Sequence, residues 1–283
     1  MIQKLRIILD MIKFEHTIFA LPFALISMLV AANGLPKPHI MLWILIAMVG
    51  ARCAAMTFNR IADAKIDADN PRTASRAIPA GTVSKGAAWV FTIASALVFI
   101  FSAYKLNRLA FALSPIALAV LLTYSYSKRF TSLSHLWLGL SLGIAPVGAW
   151  IAVTGQFSFV SVALCAAVML WTAGFDIIYS LQDLEIDRRV RLFSLPARIG
   201  PANALFVSRL FHACMVALLT WFGILSGLGA AYYAGVALVG LFLIYEQSLV
   251  SARDFSRVNT AFFTLNGCVS IGLLLFVVAD IFL

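Results

Sequence analysis

Long apolar runs, separated by short polar segments, make up most of this 283-residue chain. About 20 consecutive apolar residues are enough to cross a bilayer as an α-helix. Runs of roughly that length lie near 14–33, 40–59, 86–105, 110–127, 133–153, 158–180, 203–226, 230–250 and 261–282. They are too long and continuous for the strands of a membrane barrel. The pattern predicts an all-α integral membrane protein with nine transmembrane helices, folded as a single domain over residues 1–283.

The composition and the placement of charge agree with a membrane protein. The chain is 62% hydrophobic, whereas a soluble domain averages about 45–50% apolar residues. Its net charge of +9 could suggest nucleic acid, but the 21 Lys and Arg residues concentrate in alternate loops. The opposite loops carry only Lys37, Lys105 and Arg108. This positive-inside bias favours a bilayer over nucleic acid as the partner, and predicts a multi-pass inner (plasma) membrane protein with a cytoplasmic N-terminus.

Acidic residues are scarce in this chain, and five of the twelve fall in two clusters at the ends of apolar runs. The first acidic motif is Asn59, Asp63 and Asp67, and the second acidic motif is Asp176, Tyr179, Asp183 and Asp187. Residues four apart share a helix face, so each cluster is expected to present two carboxylates in one direction. Ionisable groups near membrane depth are costly and usually functional.

An oxygen-rich site of this kind suits Mg²⁺. We expect the two clusters to meet in one cavity and to bind Mg²⁺ through four carboxylates. The chain has no group of cysteines with metal-ligand spacing, which disfavours zinc. The expected metal ligands are Asp63, Asp67, Asp183 and Asp187.

Basic residues follow the acidic motifs closely, on the side expected to be cytoplasmic. Arg72 and Arg76 come after the first motif, and Lys128 ends the fourth apolar run. Arginine and lysine beside a metal site are suited to a diphosphate. A diphosphate at the interface with its tail in the bilayer describes a polyprenyl diphosphate. The alternative, contact with lipid headgroups, stays open for each single residue.

Taken together, these motifs resemble the UbiA superfamily of intramembrane aromatic prenyltransferases. The family pattern NxxxDxxxD matches residues 59–67, its arginine-rich loop matches 72–79, and its YxxxK element matches Tyr124 and Lys128. The second acidic motif fits the family's other aspartate-rich element. The resemblance implies nine helices around a central cavity. One departure is Arg60, where many members carry an acidic residue. The first motif therefore has one carboxylate fewer, and the second motif is expected to contribute more of the metal binding.

The resemblance also implies an activity, which is Mg²⁺-dependent transfer of a polyprenyl group to the ring of an aromatic acid. The chain is most similar to 4-hydroxybenzoate polyprenyltransferases of respiratory quinone (ubiquinone) synthesis. Residues 13–17 and 175–183 are also similar to a subgroup associated with the futalosine route to menaquinone, whose acceptor would be 1,4-dihydroxy-6-naphthoate. The chain length of the donor and the oligomeric state are not implied.

Roles for individual residues follow from the same resemblance, with the active site facing the cytoplasm. Asp176 and Tyr179 are the candidate catalytic residues, which would position the acceptor or take its proton. Arg72 or His16 could hold the acceptor carboxylate. The candidate substrate-binding residues are Asn59, Arg72, Arg76, Tyr124, Lys128, Arg198 and His16.

Other functions remain as alternatives at this stage. The same fold could prenylate a haem, a chlorophyllide or a glycerol phosphate. A cation-coupled transporter would place acidic residues near the bilayer midplane, whereas here they cluster at one face. A CDP-alcohol phosphotransferase would hold its aspartates in one compact glycine-containing motif, which the sequence lacks.

Overall fold

The computed structural model describes residues 17–283, in which the regular secondary structure is helical and turns or loops connect the helices, with one isolated bridge between Ser251 and Asp254. A 3₁₀ turn, Leu181–Asp183, joins α6 to α7, and a π-helical turn, Thr260–Leu265, leads into α11. The α-helices are α1 Thr17–Ala32, α2 Pro38–Asp69, α3 Lys85–Leu106, α4 Arg108–Ser127, α5 Ser134–Thr154, α6 Phe159–Ser180, α7 Leu184–Arg189, α8 Leu195–Ile199, α9 Pro201–Ser226, α10 Ala230–Ser248 and α11 Asn266–Phe282.

The predicted membrane architecture is confirmed within this described part. Eight helical stretches are long and apolar enough to cross a membrane, and α1 is a further apolar helix of 16 described residues. These nine elements coincide with the nine apolar runs of the sequence. The start of the first run, residues 14–16, lies outside the described residues.

Helix α2 continues beyond the end that the apolar pattern predicts. Its 32 residues correspond to about 48 Å, against roughly 30 Å for the hydrocarbon core of a bilayer. The helix runs through the first acidic motif and ends at Asp69 instead of near residue 59. Asp63 and Asp67 therefore lie on consecutive turns of one regular helix, as their spacing predicts.

The second acidic motif lies on a helix that changes its winding. The amide of Leu181 bonds the carbonyl of Ile178, and the amide of Leu184 bonds that of Leu181, which are the three-residue bonds of a 3₁₀ turn. Asp183 ends this turn, while Asp187 belongs to α7. The 3₁₀ turn thus lies before and up to Asp183, and the four residues from Leu184 to Asp187 are α-helical. That Asp183 and Asp187 present their carboxylates in one direction stays a prediction.

Contacts between residues divide the described chain into two units. The first comprises residue 17 and Pro38–Tyr126, and within it α2 packs along α3. The second comprises Ile18–Lys37 and Ser127–Leu283, and within it α6 packs against α5 and α9 while α10 packs against α11. The assignment of one domain to residues 1–283 stays a prediction.

Helix α6 forms the centre of the second unit and carries the start of the second acidic motif. Its aromatic residues Trp171 and Phe175 are buried and lie edge-on to each other with ring centroids 4.9 Å apart. Phe19 and Phe23 of α1 pack against the same pair. This aromatic core fixes the helix that presents Asp176.

Two glycines allow α5 to approach α6 closely. A Cβ on Gly143 would lie 2.6 Å from the carbonyl oxygen of Cys165, and a Cβ on Gly139 would overlap that of Met169. Small residues four apart are a common means by which membrane helices bring their backbones together. Gly148 lies on the same helix, but its Cβ would meet nothing within 4 Å.

We expect Gly139→Ala to destabilise the second unit, because the added methyl group must push α5 away from α6. Overpacking of this kind costs about 1–3 kcal/mol. The check is the thermal unfolding midpoint of the detergent-purified protein. Gly148→Ala is the matched control and should leave the midpoint unchanged. Equal midpoints for the two variants would contradict the close packing of these helices.

Candidate functional site

The first acidic motif is already engaged in contacts within its own unit. The side-chain amide of Asn59 donates to Asp63 Oδ2 at 3.0 Å. Arg76 Nη1 lies 2.7 Å and 2.9 Å from the two carboxylate oxygens of Asp67, and Asp67 is only 5% exposed. Two residues to which the sequence assigns separate roles, one with metal and one with diphosphate, are therefore each other's partners in this structure.

The turn after α2 explains how Arg76 returns to Asp67. The hydroxyl of Thr73 donates to the backbone carbonyl of Asp67 at 3.0 Å. The amide of Arg72 donates to Asn70 Oδ1 at 3.0 Å, which is the local pattern of an Asx-turn. These bonds fold residues 70–76 back over the end of α2. The Arg72 side chain is exposed at the outside of this turn.

Arg60 is a buried cation within the first unit. It is 6% exposed and interacts electrostatically with Asp63, Asp67 and the predicted substrate-binding residue Tyr124. Arg60 stands where many relatives are expected to carry a carboxylate. Its guanidinium supplies positive charge to the first acidic motif without any bound metal.

The second acidic motif has a carboxylate oxygen whose hydrogen-bonding capacity is unmet. Asp187 is 3% exposed, and its Oδ2 is buried without a hydrogen-bond partner among the described residues. Lys128 interacts electrostatically with both Asp187 and Asp176, and the carbonyl of Lys128 accepts the amide of Phe193 at 2.8 Å. The structure thus brings together three predicted site residues, with Asp183 also close to Asp187.

Asp176 has a partner that the sequence analysis missed. His135, in the first turn of α5, lies with Nδ1 2.7 Å from Asp176 Oδ2, and both side chains are buried. The other ring nitrogen, Nε2, accepts the amide of Leu195 at 3.2 Å. The sequence analysis assigns no role to His135. An ionisable residue inside an apolar segment was the available signal.

Tyr179 lies against an aromatic surface formed by the end of the chain. Its ring is 4.1 Å from that of Phe262, measured between centroids, and is tilted by 31°. Phe262 belongs to the π-helical turn, whose freed carbonyls accept the side-chain amide of Asn266. The same amide donates to Glu246 Oε1 at 3.1 Å, so a buried polar pair supports the turn that faces Tyr179.

Arg198 lines a cavity of about 380 Å³ in the second unit, and its Nη1 is 3.5 Å from Ser132 Oγ. The cavity contains one acidic and three basic side chains, so it is positively charged on balance. Its lining residues are Asp187, Arg188, Arg191, Leu192, Phe193, Ala197 and Arg198. Arg198 and Asp187 therefore share a cavity, whereas His16 lies outside the described residues.

Protein ligands alone do not complete a metal site in the described part of the chain. No group of three or more Asp, Glu, His or Cys side chains within residues 17–283 is placed so that it could hold a metal ion. Mg²⁺ commonly takes only one or two carboxylates and completes its shell with water and substrate phosphate. The oxygen donors of the two motifs fit that mode of binding.

Comparison with known proteins identifies the family. The profile of the UbiA prenyltransferase family matches residues 20–267. This chain belongs to the UbiA prenyltransferase family. A relative in Cronobacter sakazakii, named 4-hydroxybenzoate octaprenyltransferase, is 33% identical to it over 253 residues, which are 88% of this chain and 84% of the relative.

Solved UbiA structures share the fold. A UbiA homologue from Aeropyrum pernix K1, in its apo form, superposes with a TM-score of 0.86 at 39% identity, covering 94% of this chain and 98% of the homologue. A UbiA homologue from Archaeoglobus fulgidus, bound to GPP and Mg²⁺, gives a TM-score of 0.76 at 18% identity, over 98% of this chain and all of the homologue.

Membership of the UbiA family confirms the predicted fold class and the prediction that the protein is a prenyltransferase. It also removes the reason to consider a transporter or a CDP-alcohol phosphotransferase. The roles given to single residues stay predictions, as does the meeting of the two acidic motifs in one cavity.

We expect Arg76→Ala to destabilise the UbiA protein in the absence of ligands, because the buried Asp67 carboxylate would lose its counter-charge. The expected fall in the free energy of unfolding is about 1–3 kcal/mol. It is measured by thermal unfolding in detergent, with Lys65→Ala as the control, because Lys65 is an exposed cation on α2, the helix that carries Asp67. If both variants unfold at the temperature of the wild type, the Asp67–Arg76 pair contributes nothing to stability.

Proposed function

We propose that this UbiA protein transfers the polyprenyl group of a polyprenyl diphosphate to the ring of 4-hydroxybenzoate in respiratory quinone synthesis. The observation that carries the chemistry is the second acidic motif, where Asp187 has a buried oxygen without a hydrogen-bond partner in the described part of the chain, close to the Lys128 cation. A metal–diphosphate complex needs both a carboxylate and a cation. The acceptor is supported by the curated relatives, which are named 4-hydroxybenzoate octaprenyltransferase.

In this proposal the cofactor is Mg²⁺, as in the Archaeoglobus fulgidus homologue bound to GPP and Mg²⁺. The ligands would be the four aspartates Asp63, Asp67, Asp183 and Asp187. The buried orphan oxygen of Asp187 fits a cation ligand, because a hard metal ion satisfies a carboxylate without a hydrogen-bond donor. When bound, Mg²⁺ supplies positive charge that stabilises the leaving diphosphate.

The basic and amide side chains hold the rest of the diphosphate. Lys128 acts as a point charge, and Arg72 and Arg198 add guanidinium groups that can bind phosphate oxygens in a bidentate way. Arg76 contributes once its pair with Asp67 opens. Asn59 and Tyr124 supply hydrogen bonds from α2 and α4. The acceptor carboxylate is held by His16 or by Arg72, as the family resemblance implies.

The reaction exchanges one bond for another. The allylic C–O bond breaks and its electron pair leaves with the diphosphate. The π electrons of the phenolic ring then form the new C–C bond at the allylic carbon. The ring proton passes to the Asp176 carboxylate, which restores aromaticity. Tyr179, stacked on Phe262, presents an aromatic face that stabilises the allylic cation and helps to keep water away from it.

We further infer a location in the inner (plasma) membrane, with the active site facing the cytoplasm. The basic residues assigned to the diphosphate follow apolar helices at the ends that the positive-inside rule assigns to the cytoplasm. Polyprenyl diphosphate can reach such a site from the bilayer, and the aromatic acid can reach it from the cytoplasm.

The acceptor assignment is tested with purified protein in liposomes, Mg²⁺ and farnesyl diphosphate. We offer 4-hydroxybenzoate and 1,4-dihydroxy-6-naphthoate in parallel and detect prenylated product by mass spectrometry. Product from 4-hydroxybenzoate is the expected result. Product from the naphthoate alone would replace the acceptor and move the reaction to menaquinone synthesis.

The metal assignment is tested with Asp63→Asn and Asp183→Asn, each of which keeps the side-chain volume and removes the charge. We expect each to lower kcat/KM roughly 100-fold or more, since metal-ion stabilisation is worth several kcal/mol. Asp254→Asn, an exposed acid outside both motifs, is the control. Full activity in a folded Asp63 or Asp183 variant would remove that residue from the metal site.

A further inference from the structure

We propose that His135 is a positioning residue that holds the Asp176 carboxylate in the orientation needed to receive the acceptor proton, a role that rests on the proposed function. His135 does not touch substrate in this proposal. It acts through Asp176, whose Oδ2 lies 2.7 Å from its Nδ1.

The hydrogen bonds of His135 determine which ring nitrogen carries its proton. The amide of Leu195 is a donor and has no proton acceptor to offer, so Nε2 must carry a lone pair to accept it at 3.2 Å. A neutral imidazole whose Nε2 is an acceptor carries its single proton on Nδ1. Nδ1–H therefore donates to Asp176 Oδ2. A doubly protonated imidazolium would set two donors against each other at Leu195.

These bonds also exclude two other roles for His135. The ring cannot take a proton at Nε2 without breaking its bond to Leu195, so it does not relay the acceptor proton. It is also more than a packing residue, because both of its nitrogens make directed bonds to groups far away in the sequence. What remains is a fixed donor aimed at one oxygen of Asp176.

The bond to Leu195 links Asp176 to the segment that follows the second acidic motif. Residues 190–195 contact the histidine through Leu195 and the carbonyl of Lys128 through Phe193, whose amide lies 2.8 Å away. His135 thus ties α5, α6 and this segment together within the second unit. Lys128, a cation that also interacts with Asp176, is anchored by the same segment.

Holding one carboxylate oxygen determines where the other one points. With Oδ2 bonded to His135, rotation of the Asp176 carboxyl group is restrained. Its other oxygen, Oδ1, is held in a fixed direction as a consequence. A base held in this way can accept the proton without first having to rotate into place. A misplacement of about 1 Å can lower the rate about 100-fold.

Two amide substitutions separate the two bonds of the imidazole. The amide nitrogen of His135→Asn lies near the position of Nδ1 and can still donate to Asp176. The longer side chain of His135→Gln reaches the position of Nε2 and can still accept from Leu195. The two variants therefore form a matched pair, and thermal unfolding of each reports whether the protein is folded.

We expect His135→Asn to keep kcat within about fivefold of the wild type, and His135→Gln to lower kcat by about 10–100-fold. The KM for the prenyl diphosphate should change less than about twofold in both, since that substrate binds elsewhere. Equal kcat values for the two folded variants, or a loss expressed only in KM, would overturn the positioning role.

A double-mutant cycle tests whether His135 acts through Asp176. In the Asp176→Asn background, His135→Gln should change the residual kcat by less than about twofold, because the group it positions is already gone. Effects that multiply in the double variant would mean that His135 acts independently of Asp176, and the proposal would fail.

A measurement without turnover separates this proposal from the proposed function. The ¹⁵N spectrum of histidine-labelled protein, assigned with His135→Asn, should give a neutral ring protonated on Nδ1, and Asp176→Ala should shift that signal. Protonation on Nε2 in the wild type would overturn the assignment. Failure of the wild type to prenylate any aromatic acid would overturn the proposed function, while the spectrum still decides whether His135 holds Asp176.

Discussion

The absence of water around the apolar helices is the constraint on which the rest of this structure depends. A carboxylate or guanidinium at the end of such a helix must find its partner within the protein, because hydrocarbon solvates neither group. Asp67 meets this requirement with Arg76, and Asp176 meets it with His135. The Asp67–Arg76 pair holds residues 70–76 against the end of α2, and the His135–Asp176 pair holds the start of α5 against α6.

The backbone responds differently in the two acidic motifs. Helix α2 stays regular to Asp69, so the first motif keeps the spacing that its sequence predicts. The chain after α6 tightens into a 3₁₀ turn and restarts as α7, whose end is marked by Arg191 in the left-handed region with φ of 57°. The left-handed conformation of Arg191 ends the helical stretch, and residues 190–195 then return towards Lys128 and His135.

The sequence alone predicts those features that depend on residues close together along the chain. Run length predicts the membrane helices, and the fixed spacing of the motifs identifies the family. The change of winding at Leu181–Asp183 has no such signal, since its residues suit an α-helix equally well. The pairing of His135 with Asp176 joins residues 41 positions apart, and only packing of α5 on α6 brings them together. The same holds for Arg76, whose long side chain could equally have pointed towards a ligand.

The two motifs differ in how far the protein itself satisfies them. In the first, Asp67 has the guanidinium of Arg76 as its partner, and Arg60 adds a second cation, which is buried. In the second, Asp187 keeps a buried oxygen that no group in residues 17–283 bonds, although an unmet polar group of this kind costs about 1–3 kcal/mol. A bound cation that contacts this oxygen would offset that free-energy cost. Within residues 17–283 the unmet demand for a cation is therefore greater at the second motif, while the larger metal-binding role that Arg60 predicts for this motif stays a prediction.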